Sequence, residues 1–182
     1  MTTLHRGLIV GVVQIALVAS VGAKLQMDRA YYPRVWARAA PVDPMLPIRG
    51  RYVSLRLEAA AGPGLEPQTP PTVRLPNGTT MPRPAESRQV RLVVDNNGLV
   101  AVSAQPGATD ATRALIVRRD ERVVARLDQP VAYFIPPGVT DPSRRAPGEE
   151  LWVEVTLPPH GSPRPIRLAV KKNGTLTPLA LE

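Results

Sequence analysis

The chain has 182 residues, 43% of them hydrophobic and only 4% aromatic, with 22 prolines, no cysteine and a formal charge of +8 at pH 7. That is enough apolar material for one packed domain of Val, Leu, Ile and Ala plus an anchor, and it argues against wholesale disorder and against long soluble helices. The absence of cysteine excludes disulfides, thiolate metal sites and a cysteine nucleophile, and His5 and His160 alone cannot build a histidine-rich metal centre in a monomer.

From Gly7 to Ala23 there is no charge, and Gln14 is the one strongly polar side chain. At about 1.5 Å per residue this run reaches roughly 25 Å, near the lower limit for a bilayer core. Lys24 can snorkel to the interface, and Tyr31, Tyr32 and Trp36 follow at head-group distance. The competing reading is a cleaved signal peptide, with Val21-Gly22-Ala23 as the small-residue site. The apolar run is longer than a usual signal core, which favours a retained transmembrane helix. Residues 1–25 are therefore read as the membrane anchor, or signal sequence, and 26–48 as a proline-containing lead-in.

Basic residues cluster just after the apolar run: Lys24, Arg29, Arg34, Arg38, Arg49 and Arg51, against Asp28 and Asp43. Counting positive charges alone would leave the following domain in the cytoplasm, but long domains translocate despite such charges. No block of five or more like charges occurs. The excess is read as attraction to anionic lipid head groups or as plain solubility, not as nucleic-acid binding.

Residues 49–182 read as a β domain. Strands are expected at Tyr52 to Glu58, Gln89 to Asp95, Leu99 to Gln105, Ala114 to Arg118, Val123 to Leu127, Val131 to Ile135, Leu151 to Leu157, Ile166 to Val170 and Leu176 to Leu181. Apolar and polar residues alternate in most of them, the period of a half-buried strand. Asn77-Gly78, Asn97-Gly98 and Asn173-Gly174 are hairpin signals, because both residues tolerate positive φ. Proline-rich stretches at Gly62 to Pro71, Pro82 to Ser87, Pro136 to Pro147 and Pro158 to Pro165 read as exposed loops, and Pro178 assigns the last strand to a sheet edge. Only Asp110 to Arg122 has a helical alternative, and the bulky Leu115-Ile116-Val117 favours strand there. The fold class is all-β: an antiparallel sandwich or open barrel of short strands, preceded by one N-terminal transmembrane helix.

The stretch from Pro41 to Leu57 contains Asp43-Pro44, Arg49-Gly50 and then Gly50-Arg51-Tyr52-Val53-Ser54-Leu55-Arg56-Leu57. It resembles the signature of the GDYXXLXY family, bacterial proteins with an N-terminal membrane helix. Gly50, Tyr52 and Leu55 match the named positions, whereas Arg51 stands where the family has aspartate and Leu57 where it has the second tyrosine. Tyr133-Phe134-Ile135-Pro136 resembles the family's later Tyr-Phe element, and the closing hairpin Lys171 to Leu181 is similar to its last strand pair. The resemblance implies an uncharacterised, single-pass cell-envelope protein that accompanies a multispanning membrane protein, with the β domain on the periplasmic side. It implies no chemistry.

The best local polar cluster is Asp43, Arg49, Arg51, Tyr52 and Arg56, with Gly50 and Leu55 completing the motif. It reads first as a solvated strand face with an Asp43–Arg49 ion pair, and alternatively as an anion-binding groove of arginine forks. Glu149, Glu150 and Glu154 raise the idea of paired acids, but only Glu150, Trp152 and Glu154 share a strand face, and no partner acid can be named. Ser162 near His160 has no nucleophile elbow or orienting acid, and no Gly-rich phosphate loop occurs. The sequence therefore names no catalytic, metal or cofactor residue. The function it favours is a non-enzymatic interaction module held at the bilayer, contacting a membrane protein through strand edges or the Tyr52 face. The alternative is an envelope enzyme or anion-binding domain using that same face.

Overall fold

The computed structural model describes residues 3–42, 52–67, 72–75, 78–82, 86–95, 98–105, 107–119, 121–159 and 161–181. It divides into two compact units, residues 1–32 and 33–182.

The first unit is helix α1, Thr3–Tyr31, longer than the run expected from Gly7 to Ala23. Lys24, Asp28 and Arg29 are accommodated in its last turns, with Arg29 placed where a cation suits the helix dipole. Its stretch Gly7–Tyr31, 25 residues, is long and apolar enough to cross a membrane, and the apolar side chains from Leu8 to Val21 stand exposed around it. A stretch that is apolar all round lacks the single apolar stripe of a soluble-domain helix.

The second unit is almost wholly β, as expected. Its spine is β2, Tyr52–Ala61, which is shared by two groups of strands. Along one side of its first half runs β1, Arg34–Val42, followed outward by β10 (Glu149–Thr156), β11 (Arg164–Lys172) and β12 (Thr175–Pro178), all antiparallel. Along its other side lies β9, Val131–Phe134. The second half of β2 changes partners. There it meets β8 (Arg122–Leu127) antiparallel at residues 58–60 and β6 (Gly98–Ser103) in parallel at residues 60–61. Strands β5 (Arg88–Asp95) and β7 (Ala111–Arg119) link β6 to β8, so β2, β6, β5, β7 and β8 form a closed ring of pairings. Closing a sheet on itself removes its free edges. A separate hairpin pairs β3 (Thr72–Arg74) with β4 (Thr80–Pro82).

Alternation explains the core. Val53, Leu55 and Leu57 of β2 point inward with Val35, Ala37 and Ala39 of β1, Leu151, Val153 and Val155 of β10, and Leu168 of β11. The ring contributes Val90, Leu99, Ala101, Ala114, Ile116, Ala125 and Leu127. Small alanines let the strands of this half approach closely, so a core with few aromatics still fills.

Three sequence expectations need correction. Strand β1 occupies residues read as a lead-in; its inward residues are Val35, Ala37 and Ala39, too small to give a strong hydrophobic pattern. The hairpin β5–β6 pairs Asp95 with Gly98, so residues 96 and 97 connect the strands in place of the expected Asn97-Gly98. This register sets Leu92 opposite Ala101 and Val94 opposite Leu99, whereas a turn at Asn97-Gly98 would have set Leu92 against Ser103. Moving the turn by one residue moves each partner by two, which keeps every side chain on its face but would exchange Ala101 for Ser103 opposite Leu92; the apolar match outweighs the turn signal. The proline-rich loops, finally, are not uniformly exposed: Leu65 and Pro142 are buried in the core. Asn173 and Gly174, by contrast, take the positive φ values, 51° and 84°, of the expected two-residue turn. Pro178 lies in β12, which is the terminal strand of the sheet order, as its missing N–H requires.

Ring closure rests on a small splice. The Gly62 N–H donates to the Ala101 carbonyl at 2.8 Å, and a Cβ on Gly62 would stand 2.8 Å from that same oxygen. The expected outcome for Gly62→Ala is a loss of about 1–3 kcal/mol from this clash. Leu57→Ala, at a fully buried position of the spine, should cost about 2–5 kcal/mol. Urea unfolding of the two variants beside the parent chain checks both.

Candidate functional site

The inward–outward alternation of β2 breaks at Glu58: Leu57, Glu58 and Ala59 are all buried. Here the spine passes from one strand group to the other, and both of its faces are covered. Glu58 faces outward with Arg38, its directly opposed neighbour on β1. A carboxylate with a side chain only 3% exposed needs a charged partner, and Arg119, at the end of β7, supplies it: its Nη1 donates to Glu58 Oε1 at 2.7 Å. Arg38 Nε stands 3.9 Å from the other oxygen, Oε2. That is too long for a hydrogen bond, and Oε2 has no hydrogen-bond partner. Leaving such an acceptor unmade costs about 1–3 kcal/mol.

The network continues across the sheet. Arg38 Nη2 pairs with Glu150 Oε1 at 3.0 Å, and Trp152 Nε1 donates to Glu150 Oε2 at 3.1 Å. On β11, Lys171 stands over the Trp152 ring, 4.6 Å from its centroid, and Arg167 over Trp36 at 5.3 Å. Arg167 also donates to the buried Glu154 at 2.6 Å. These are cross-strand neighbours: Arg38 opposes Trp152, Trp36 opposes Glu154, and Glu150 opposes Lys171. Each cation over an indole contributes roughly 0.5–1 kcal/mol at a half-exposed site.

Between this charged face and the β7–β8 turn lies a groove of about 520 Å³. Four cations, Arg38, Arg119, Arg122 and Lys171, and two carboxylates, Glu58 and Glu150, reach it, with Trp36 and Trp152 along its wall. Glu150, Trp152 and Glu154 do share a strand face, and Glu150 and Glu154 are each held by an arginine. At the rim, Lys172 donates to Glu149, and together with the Ala146 N–H it holds that carboxyl below its usual range.

Of the residues singled out by sequence, Tyr52, Leu55 and Arg56 do not line the groove. Asp43, Arg49, Gly50 and Arg51 fall outside the described residues, as does His160. Tyr52 opens β2, and its ring meets Phe134 of β9 with centroids 6.2 Å apart. Thus the motif strand and the later Tyr-Phe element are direct pairing partners. Leu55 is fully buried, and Arg56 is half-buried with its Nε lacking a hydrogen-bond partner. Sequence reasoning missed Glu58, Arg38, Arg119 and Trp36, which come from three distant segments. The one local clue was an acid at the end of an apolar alternation. Among the described residues, no three His, Cys, Asp or Glu side chains are grouped to hold a metal ion.

The architecture defines a class: a β module of two strand groups on one shared spine, carried behind a single apolar helix. Within it, the chain belongs to the GDYXXLXY family, whose model, described as GDYXXLXY protein, matches residues 14–181. Neither the curated proteins nor the solved structures contain a significant match.

Removing Arg119 should strand the Glu58 charge. Because Arg119 is 41% exposed, the expected loss for Arg119→Met is about 1–3 kcal/mol, below the range for a fully buried pair. The double variant Arg119→Met/Glu58→Gln should recover most of it, and a double-mutant cycle by chemical denaturation measures the coupling. For Glu149, a carboxyl whose folded pKa lies below its unfolded value stabilises above the usual carboxylate range and loses that contribution as pH falls through the folded pKa. Lys172→Ala should return the Glu149 titration, followed by NMR, toward the ordinary value.

Proposed function

We propose that this chain is a non-catalytic, membrane-anchored module of the cell envelope that engages another membrane protein, with its β domain on the extracytoplasmic side. The observation that carries the reading is the stretch Gly7–Tyr31 of α1, 25 residues long and apolar enough to span a bilayer, with its apolar side chains exposed. Burying that surface in lipid recovers the roughly 25 cal/mol per Å² that water withholds. Membership in a family of this architecture supports the same reading. So does the state of the best-placed acids: Glu58, Glu150 and Glu154 are committed to arginines and leave no acid–base pair poised for hydrolysis. The exposed Phe134 beside Tyr52, at the start of the spine, offers a partner an apolar foothold.

In lysed cells the full-length chain should sediment with membranes and resist alkaline carbonate. A variant with Leu8, Val12, Ile15 and Val18 changed to Ser should move to the supernatant. A C-terminal reporter active only outside the cytoplasm should give signal, and one fluorescent only inside should not. Uncleaved, folded parent chain in the supernatant would overturn the anchor, and the reverse reporter pattern would overturn the orientation. Phe134→Ala should weaken recovery of a multispanning protein in affinity capture from mild detergent without shifting the unfolding midpoint.

A further inference from the structure

We propose that the groove beside Glu58 is a binding site for a small hydroxylated anion, a sugar-sized polyol bearing one carboxylate or phosphate. The proposal is independent of where the helix resides. The groove, about 520 Å³, lies within the ordinary range for small-molecule sites. Its charges are incompletely matched. Arg119 and Arg122 are directly opposed on β7 and β8, an unfavourable like-charge pair. Glu58 answers Arg119, but Arg122 and Lys171 have no carboxylate partner among the described residues. Two cations facing one groove without an anion provide the forked and point-charge donors that carboxylate and phosphate accept.

The opposite deficiency sits at the groove's floor. Glu58 is 6% exposed, lines the groove and keeps one oxygen, Oε2, without a donor. Arg38, 3.9 Å from that oxygen and 27% exposed, already has Glu150 as an alternative partner at 3.0 Å. Swinging Arg38 fully onto Glu150 opens Oε2 to a ligand hydroxyl, which would donate to it. Trp36 and Trp152 line the groove with half-exposed aromatic surface, each with a cation already over one ring face, and the remaining apolar edge would meet the C–H groups of a sugar ring. A plain inorganic anion would satisfy the cations and leave Oε2 unmatched. A neutral sugar would do the reverse. Only a molecule carrying both groups answers both deficiencies.

The chain's two tryptophans are Trp36 and Trp152, so emission excited selectively from tryptophan, not from the four tyrosines, reads this groove. Full-length protein in mild detergent is titrated with glucuronate, glucose 6-phosphate, glucose, acetate and inorganic phosphate. Saturable emission changes are expected for glucuronate or glucose 6-phosphate with Kd below about 1 mM. Glucose, acetate and phosphate should bind at least about tenfold more weakly, a difference of one factor of ten in Kd. Which of the two acidic sugars binds tells carboxylate from phosphate. Arg122→Ala/Lys171→Ala should lose the response while staying folded, with a single cooperative unfolding transition. The proposal is overturned by no saturable change with either acidic sugar, by equal binding of acetate or phosphate, or by a double variant that binds like the parent.

Discussion

The structure depends on one strand serving two groups of strands within a single sheet. For its first six residues β2 is an ordinary half-buried strand, with Val53, Leu55 and Leu57 in the core and Tyr52, Ser54 and Arg56 toward the outer face. At Glu58 the outward position is buried too, where β8 has taken the flank held earlier by β9 while β1 still pairs on the other; β6 follows β1 at residues 60–61, and Ala60 is exposed again. A polar residue at that crossover would be a liability if unpaired. Arg119 from the ring and Arg38 from the open sheet converge on it, so one carboxylate ties the two strand groups together. Replacing such a pair by apolar residues need not cost stability. Its retention fits a surface used for recognition as well as for folding.

Much of this was legible in the sequence. The alternations Val53-Leu55-Leu57 and Leu151-Val153-Val155 place both central strands on their correct faces, because period-two patterning reflects the same burial that forms the sheet. Asn173-Gly174 places the last hairpin, and the segment with a helical alternative forms a strand over Ala111–Arg119, as its β-branched and bulky residues suggest. The GDYXXLXY resemblance, read from eight residues and two later elements, extends over residues 14–181. The structure gives those elements a physical sense: Tyr52 and Phe134 are cross-strand neighbours, and Leu55 sits in the deepest part of the core.

The rest was not legible because it depends on long-range pairing. Strand β1 is built on alanines, whose burial leaves little mark in a hydropathy pattern, yet it lies between the spine and β10. The β5–β6 register follows apolar matching across the pair, which no single Asn-Gly dipeptide encodes. The groove draws Arg38, Glu58, Arg119 and Trp152 from strands β1, β2, β7 and β10. Local charge reading pointed to Asp43, Arg49 and Arg51, which are close in sequence and lie outside the described residues, whereas the groove's residues come together only through remote strand pairing.

That remoteness has a kinetic side. Strand β1 begins at Arg34, and its first partner is Thr156, more than a hundred residues later. Loop closure over such spans delays the central ladder, and folds dominated by distant pairings form slowly. During synthesis, the five-strand ring can assemble from residues up to Leu127, whereas the sheet beside it stays unfinished until the Glu149–Thr156 strand has emerged. A chain emerging N-terminus first therefore holds β1 without its outer partner until nearly the whole length is made, and the early ring must wait beside an incomplete sheet.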